Sequence, residues 1–227
     1  DYFVEYRDRP ELDRWIVSKY NNLVKYVTES MDVYDHNKSV RAIQNFVNED
    51  LSNWYIRRSR RRFWETELTE DKKAVYVTTY EILVGISQLI APFAPYLSEE
   101  IYRNLTGQPS VHLSYFPEAK EELIDKNIEK RMDLVKDIVS LGRASRENAK
   151  IKVRQPIQKI HVDGKYKELI DDLVPLIMEE LNVKEVVFEH DLNEFMDFSL
   201  KPNFKIAGPM LGNNVKAFAG ILAKADA

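Results

Sequence analysis

Five arginines lie within six residues, at positions 57, 58, 60, 61 and 62, between Trp54 and Trp64. Segment 53–64 therefore carries +5, whereas the whole chain carries −4, so the remaining residues sum to −9. The planar guanidinium binds phosphate or carboxylate through two hydrogen bonds and stacks on rings and bases, which the lysine ammonium does less well. This arginine cluster (Arg57, Arg58, Arg60, Arg61 and Arg62) on an acidic chain indicates a local anionic partner.

A helical stripe leads into the arginine cluster. At about 100° per residue, the apolar residues at 40, 43, 47, 51 and 54 lie on one side of a helix, and Arg58 and Arg61 continue that side. Two interpretations remain open. Either this face meets a nucleic-acid backbone, or acidic groups of the fold or of another domain pair with the arginines. Trp64 lies about 100° away from the stripe, so it is a better candidate than Trp54 for stacking on a base. The acidic residues nearest in sequence are Glu49, Asp50, Glu65, Glu67, Glu70 and Asp71.

Composition limits the class of protein. Hydrophobic residues make up 44% of the 227 positions, which is sufficient for a sizeable core. There is no cysteine, which excludes disulfides and cysteine-bound zinc and fits a reducing cytoplasm. No apolar run approaches the roughly 20 residues that span a bilayer, so we expect no membrane partner. The first residue is Asp1 and no signal peptide is visible, so we expect a piece excised from a longer protein.

Hydrophobic periodicity predicts a mainly α fold. Apolar residues at helical spacing predict helices over 11–31, 40–54, 71–90 and 127–148, with Pro95 beginning and Gly107 ending another. The period then changes. Residues 152–162 and 185–189 alternate as strands do, a helix is expected at 165–181, residues 198–207 form a possible third strand, and a helix begins at Gly212. We therefore predict an antiparallel helix bundle over 1–125, and a long connecting helix with a small α/β subdomain over 126–227.

Other polar groups offer little chemistry. The four histidines have no metal-ligand spacing, and the adjacent pairs Glu99–Glu100 and Glu179–Glu180 point about 100° apart on helices. We therefore predict no catalytic residues and no metal site. Lys150, Lys152 and Arg154 form a second basic patch where a helix gives way to a strand. This patch is either an RNA contact or a solvated strand edge, and Lys152 and Arg154 are retained as candidate RNA ligands.

Several segments carry a resemblance to a known family. Residues 12–16 and 50–64 resemble the anticodon-binding domain of isoleucyl-tRNA synthetases. Residues 91–102, Ala-Pro-Phe-Ala-Pro-Tyr-Leu-Ser-Glu-Glu-Ile-Tyr, are similar to a motif shared with the synthetases for valine, leucine and methionine. Residues 152–157 and 200–205 are similar to segments that follow the bundle in the isoleucine enzymes. The resemblance covers almost the whole chain, in the same order.

The resemblance implies the function of a larger enzyme. Its parent would be a cytoplasmic ATP-dependent ligase that attaches isoleucine to its tRNA, with ATP and Mg²⁺ held in a catalytic domain whose signatures are absent from this sequence. The chain itself would bind the anticodon stem-loop without catalysing, and would adjoin the catalytic domain of the same polypeptide. The predicted tRNA contacts are Arg57, Arg58, Arg60, Arg61, Arg62, Trp64, Lys152 and Arg154. The alternative is a structural module whose arginines form ion pairs with another domain.

Overall fold

Helix dominates the computed structural model, which describes residues 3–191 and 202–222. This confirms the predicted mainly α fold with a small α/β part. The first part of the chain comprises α1 (Glu11–Asp32), α2 (His36–Asn45), a π-helical segment (Phe46–Ile56), α3 (Arg57–Trp64), α4 (Glu70–Ile90), α5 (Pro95–Thr106) and α6 (Lys126–Asn148). The second part comprises β1 (Ile157–Asp163), α7 (Lys167–Ile170), α8 (Val174–Leu181), β2 (Val183–Glu189), α9 (Phe204–Leu211) and α10 (Val215–Leu222).

The chain separates into two compact units, Asp1–Leu134 and Val135–Ala227. The division falls inside α6 in the sequence. The domain boundary that we placed between residues 125 and 126 stays a prediction. Each unit has buried apolar side chains of its own.

Side-chain contacts between helix ends show that neighbouring helices of the first unit run antiparallel. Asp13, near the start of α1, contacts Arg62, near the end of α3. Arg62 in turn contacts Asp71, at the start of α4. At the opposite end, the ring of His36 at the start of α2 lies 6.5 Å from that of Phe93, just after α4. These pairings require each helix to reverse the direction of the previous one.

The core of the first unit is built around the apolar side of α1. Trp15, Ile16 and Val24 are fully buried, together with Tyr55 of the π segment and Leu89 of α4. Buried Trp54 donates a hydrogen bond from Nε1 to Met132 Sδ at 3.3 Å, which satisfies its one polar atom.

Gly85 of α4 leaves room for a side chain of α1. A Cβ at Gly85 would lie 1.9 Å from the Tyr20 hydroxyl oxygen, so a larger residue would have to displace the Tyr20 side chain.

Proline and glycine bound α5 as predicted. Pro95 occupies the first turn, where a missing N–H costs nothing, and Gly107 ends the helix with φ +68°. Its N–H donates to the Arg103 carbonyl. At the start of α4, the Thr69 hydroxyl accepts from the Lys72 N–H and so caps the helix.

The second unit contains a parallel β-α-β arrangement. β1 pairs with β2 in register Ile157↔Val183, and α7 and α8 form the crossover that parallel strands need. Ile170, Ile177 and Leu181 of the crossover are fully buried.

Three predictions for the second unit need correction. The first strand begins at Ile157 rather than residue 152, because residues 152–156 form a turn. The helix expected over 165–181 is divided by 3-10 turns into α7 and α8. The strand expected over 198–207 is wrong from Pro202 onward, because residues 202 and 203 form no strand and α9 begins at Phe204 after an Asn203 cap. The rest of that strand, 198–201, lies outside the described residues. The helix expected from Gly212 is present as a 3-10 turn followed by α10.

Candidate nucleic-acid interface

The arginine cluster lies at the end of one continuous helix, His36–Trp64, whose middle is π-helical. In the π segment the hydrogen bonds join residues five apart, so each turn holds more residues than an α-helical turn. The buried side consequently shifts along the sequence, to Leu51, Trp54, Tyr55 and then Ser59. The prediction that Arg61 continues the buried side is therefore wrong. Arg61 is exposed, and Arg62 takes the inward position.

Arg62 is held inside the first unit by two carboxylates. Its Nη1 and Nη2 donate to Asp13 Oδ1 and Oδ2 at 2.6 and 2.7 Å, and its Nε donates to Asp71 Oδ2 at 2.8 Å. Nη2 also donates to the Asp71 carbonyl at 3.1 Å. Burial opposes the charge on the guanidinium, but the hydrogen bonds and charges of Asp13 and Asp71 outweigh it and raise the pKa of Arg62. The Arg62 guanidinium is therefore occupied by hydrogen bonds within the first unit.

The Asp13 carboxylate is fully buried and depends on this arrangement. Besides Arg62, it accepts a hydrogen bond from the Tyr55 hydroxyl at 2.8 Å. Burial and the nearby Asp13 charge raise the pKa of Tyr55 well above its usual range, so the phenol stays protonated and remains a donor. Tyr55, Asp13 and Arg62 thus join the π segment, α1 and α3 at one point.

The opposite face of α3 carries three arginines and a tryptophan. Arg57, Arg60, Arg61 and Trp64 are spaced by three or four residues and lie within about 100° on an α-helix. We call them the outer face. Arg60 and Arg61 are exposed, and among the described residues neither has an ion-pair partner. The Trp64 side chain is 86% exposed. Such a surface can pair with phosphates and stack on an unpaired base.

The other two members of the cluster are less accessible. Arg57 is half-buried, and its Nε donates to the Asn53 carbonyl at 2.8 Å. Arg58 is half-buried on the side of α3 between the outer face and Arg62. Sequence periodicity alone does not distinguish these half-buried arginines from the exposed ones.

Contacts with α4 fix the end of α3. The rings of Phe63 and Tyr76 meet edge to face with centroids 5.4 Å apart, and Lys72 Nζ donates to the Glu65 carbonyl. Together with the Arg62–Asp71 pair, these contacts fix the helix about its own axis. The outer face therefore has a set direction within the first unit.

The second predicted patch lies in the other unit. Lys150, Lys152 and Arg154 are all exposed, in the turn between α6 and β1. These residues precede β1, which begins at Ile157, so the patch lies in a turn and not on a strand. The structure thus brings the arginines of α3 and Trp64 together in one unit and holds Lys152 and Arg154 in the other.

Sequence reasoning missed one residue of this site and identified another. Asp71 was among the acidic residues expected near the cluster, and it does contact Arg62. Asp13 was not considered, because it is distant in sequence. The sequence does contain a signal for it, because a carboxylate between Leu12 and Trp15 lies next to the buried face of a predicted helix.

Neither a membrane helix nor a metal site emerges from the described residues. Over 3–191 and 202–222, no helix is both long and apolar enough to cross a membrane. The same residues contain no group of His, Asp and Glu side chains arranged to hold a metal ion.

Residues 13–161 match the model of a protein family described as the anticodon-binding domain of tRNA ligase. This match covers more than half of the chain and includes the arginine cluster, Trp64 and the Lys152–Arg154 turn. The chain therefore belongs to the family of anticodon-binding domains of tRNA ligases.

The most similar relatives include isoleucine–tRNA ligases from several bacteria. The enzyme from Porphyromonas gingivalis is 40% identical over 220 residues, which is 95% of this chain and 19% of the relative. The enzyme from Chlamydia trachomatis is 43% identical over 220 residues, 93% of this chain and 21% of the relative. That from Clostridium tetani is 42% identical over 221 residues, with the same shares. The chain thus spans about a fifth of the length of these relatives.

Proposed function

We propose that the chain is the tRNA-binding part of an isoleucine–tRNA ligase and that the outer face of α3 contacts the RNA. The observation that carries the proposal is the division of the arginine cluster. Arg62 is directed inward to Asp13 and Asp71, whereas Arg60, Arg61 and Trp64 are exposed on the other side of the same two turns. An arginine cluster that served only the fold would not need an exposed half.

The chemistry of the outer face suits the anticodon stem-loop of isoleucine tRNA. Guanidinium groups pair with backbone phosphates, and an exposed indole offers a platform for a base that is free of a duplex. Because the chain is acidic overall, RNA contacts must be concentrated where cations outnumber carboxylates. Arg57, the half-buried member of the outer face, and Arg58 beside it are less accessible, and we assign them a supporting role.

The relatives support a proposal for the activity of the parent enzyme. We propose that the parent protein works in the cytoplasm and joins isoleucine to tRNA at the expense of ATP, with Mg²⁺, in a catalytic domain of the same polypeptide. This chain would contribute binding energy and position the tRNA. Affinity would then be shared between the two domains through their high effective concentration.

Titration with two RNAs tests the proposal. The chain is titrated with isoleucine tRNA, and with the same tRNA carrying a changed anticodon, at several salt concentrations. We expect tighter binding of the unchanged tRNA. We also expect the Arg60→Ala/Arg61→Ala variant to lose affinity and to flatten the salt dependence by about 0.7–0.9 per lost phosphate contact.

Arg41→Ala is the matched control. Arg41 is an exposed arginine on the same helix, 19 residues before Arg60. Its replacement removes one exposed positive charge from a distant surface, compared with two in the double variant. If all variants bind both tRNAs with equal, weak affinity, the arginines instead serve ion pairs with another domain and the proposal is refuted.

A further inference from the structure

The turn that joins α6 to β1 in the second unit has carbonyl groups that accept hydrogen bonds from two side chains. We call residues 150–155 the basic loop. Buried Arg146, 3% exposed, donates from Nη2 to the Lys152 carbonyl at 2.6 Å and also to the Gln155 carbonyl. Asn182, just after α8, donates from Nδ2 to the carbonyls of Val153 and Arg154 at 3.0 and 3.1 Å. Two side chains thus bind four successive carbonyls.

Two N–H groups of the basic loop are directed away from these side chains. In a trans peptide the N–H is directed opposite to the C=O of the same unit, and the described residues contain no cis peptide. The Lys152 carbonyl accepts from Arg146 and the Val153 carbonyl from Asn182, so the Val153 N–H points away from Arg146 and the Arg154 N–H points away from Asn182. No described residue accepts a hydrogen bond from either N–H. The Gln155 N–H, by contrast, donates within the turn to the Lys152 carbonyl at 2.9 Å. Successive N–H groups of a turn that lack an acceptor within the protein can form an anion-binding concavity.

The start of the basic loop is equally defined. Ile151 N–H donates to the Arg146 carbonyl and Lys150 N–H to the Glu147 carbonyl, which is the Schellman ending of a helix. Lys150 occupies its left-handed position, with φ +56°. The side chains of Lys150, Lys152 and Arg154 are exposed, and the residues lie beside the two N–H groups in the sequence.

A buried cation lies beneath the basic loop. Within the described ranges, no carboxylate pairs with Arg146, and its Nε and Nη1 are buried without a hydrogen-bond partner. An uncompensated charge held away from water favours an anion nearby. Three exposed cations, two N–H groups without an acceptor and this fourth cation thus all favour an anion at the basic loop.

We propose that the basic loop is a preformed phosphate-binding site that takes a backbone phosphodiester of the bound tRNA. Lys152, Arg154 and the Val153 N–H are its ligands, and Arg146 and Asn182 are positioning residues. The inference rests on the proposed function for the identity of the anion. It adds a second RNA contact, in the unit that does not carry the arginine cluster.

Salt-dependent tRNA binding and a phosphate titration test the inference together. We expect Lys152→Ala/Arg154→Ala to reduce the slope of log affinity against log salt by about 1.4–1.8, because two phosphate contacts are lost. Lys150→Gly removes a cation without strain, since glycine tolerates the left-handed conformation. Lys159→Ala, an exposed lysine of β1 outside the loop, is the control that should leave the slope unchanged.

Asn182→Gly separates positioning from charge. Asn182 has φ +49°, so glycine keeps the backbone while the two hydrogen bonds to the loop are lost. We expect weaker tRNA binding with no loss of a cation. In the unchanged chain, inorganic phosphate should shift the amide resonances of Val153 and Arg154, and this shift should diminish in Asn182→Gly.

The outcomes distinguish the two proposals. If the unchanged chain binds tRNA but the double variant keeps its slope and phosphate leaves both amides unmoved, the basic loop is not a phosphate site and the proposed function stands. If phosphate shifts the amides but tRNA does not bind, the loop remains an anion site and the proposed function fails. If neither ligand binds, both are overturned.

Discussion

Removal of the Arg62 side chain should unfold the first unit more readily, although the residue belongs to an arginine-rich segment. In Arg62→Ala the Asp13 carboxylate stays fully buried and keeps only the Tyr55 hydroxyl as a hydrogen-bond donor among the described contacts. Loss of one partner from a buried ion pair costs about 3–5 kcal/mol, because the remaining charge is left without compensation. The pair with Asp71 adds little, since the Asp71 side chain is 44% exposed.

Urea unfolding followed by tryptophan fluorescence measures this cost. Trp15, Trp54 and Trp64 all lie in the first unit, so the signal reports on that unit. We expect Arg61→Ala to stay within about 0.5 kcal/mol of the unchanged chain, as exposed substitutions usually do. It is the matched control, one residue away with the same charge.

A double-mutant cycle tests the stated cause. If the buried Asp13 charge is responsible, Asp13→Asn combined with Arg62→Ala should cost clearly less than the two single changes added together. A cost of less than about 1 kcal/mol for Arg62→Ala, or additive effects in the cycle, would refute the reasoning. Arg62 would then be available to bind RNA directly.

The two tryptophans beside the arginine cluster should behave in opposite ways. Trp54→Ala should destabilise the first unit by about 3–5 kcal/mol because the side chain is buried. Trp64→Ala should leave stability almost unchanged and weaken tRNA binding. Equal unfolding midpoints for the two variants would contradict this. Alkaline pH should also destabilise the unit. Burial raises the pKa of Tyr20 and Tyr55 above the usual 10.0, so their contribution is complete below about pH 10 and is lost as pH rises beyond it. Tyr55→Phe should flatten the high-pH part of this stability profile, and an unchanged profile would count against it.

The sequence predicts the helices of the first unit well because their signals are local. Pro95 and Gly107 bound α5 through backbone preferences that need no tertiary information. The apolar spacing of α1 likewise identifies its buried side. The π segment has no such signal, because its composition does not reveal that hydrogen bonds join residues five apart. Ideal α-helical geometry therefore assigns Arg61 to the buried side, whereas in the structure Arg62 is directed inward and Arg61 is exposed.

Buried partners are harder to predict than helix ends. Asp13 and Arg62 are separated by 49 residues, and only the antiparallel packing of α1 and α3 brings them together. The basic loop is a similar case. Alternation from residue 152 onward indicates a strand, but the hydrogen bonds from Arg146 and Asn182 hold the first part of that stretch as a turn. Long-range polar contacts decide both outcomes.

The arginine cluster satisfies two requirements that a uniform basic segment would not. Apart from Phe63, which packs on Tyr76, α3 has little apolar side chain to pack, so much of its orientation must come from polar contacts. Arg62 supplies this through two carboxylates from α1 and α4, and an Arg–carboxylate pair fixes angle as well as distance because both groups are planar. The outer face is thereby held facing away from the bundle. Because it is already ordered, little conformational entropy would be lost on binding. An inward arginine is therefore the condition for the outward ones to act as a surface.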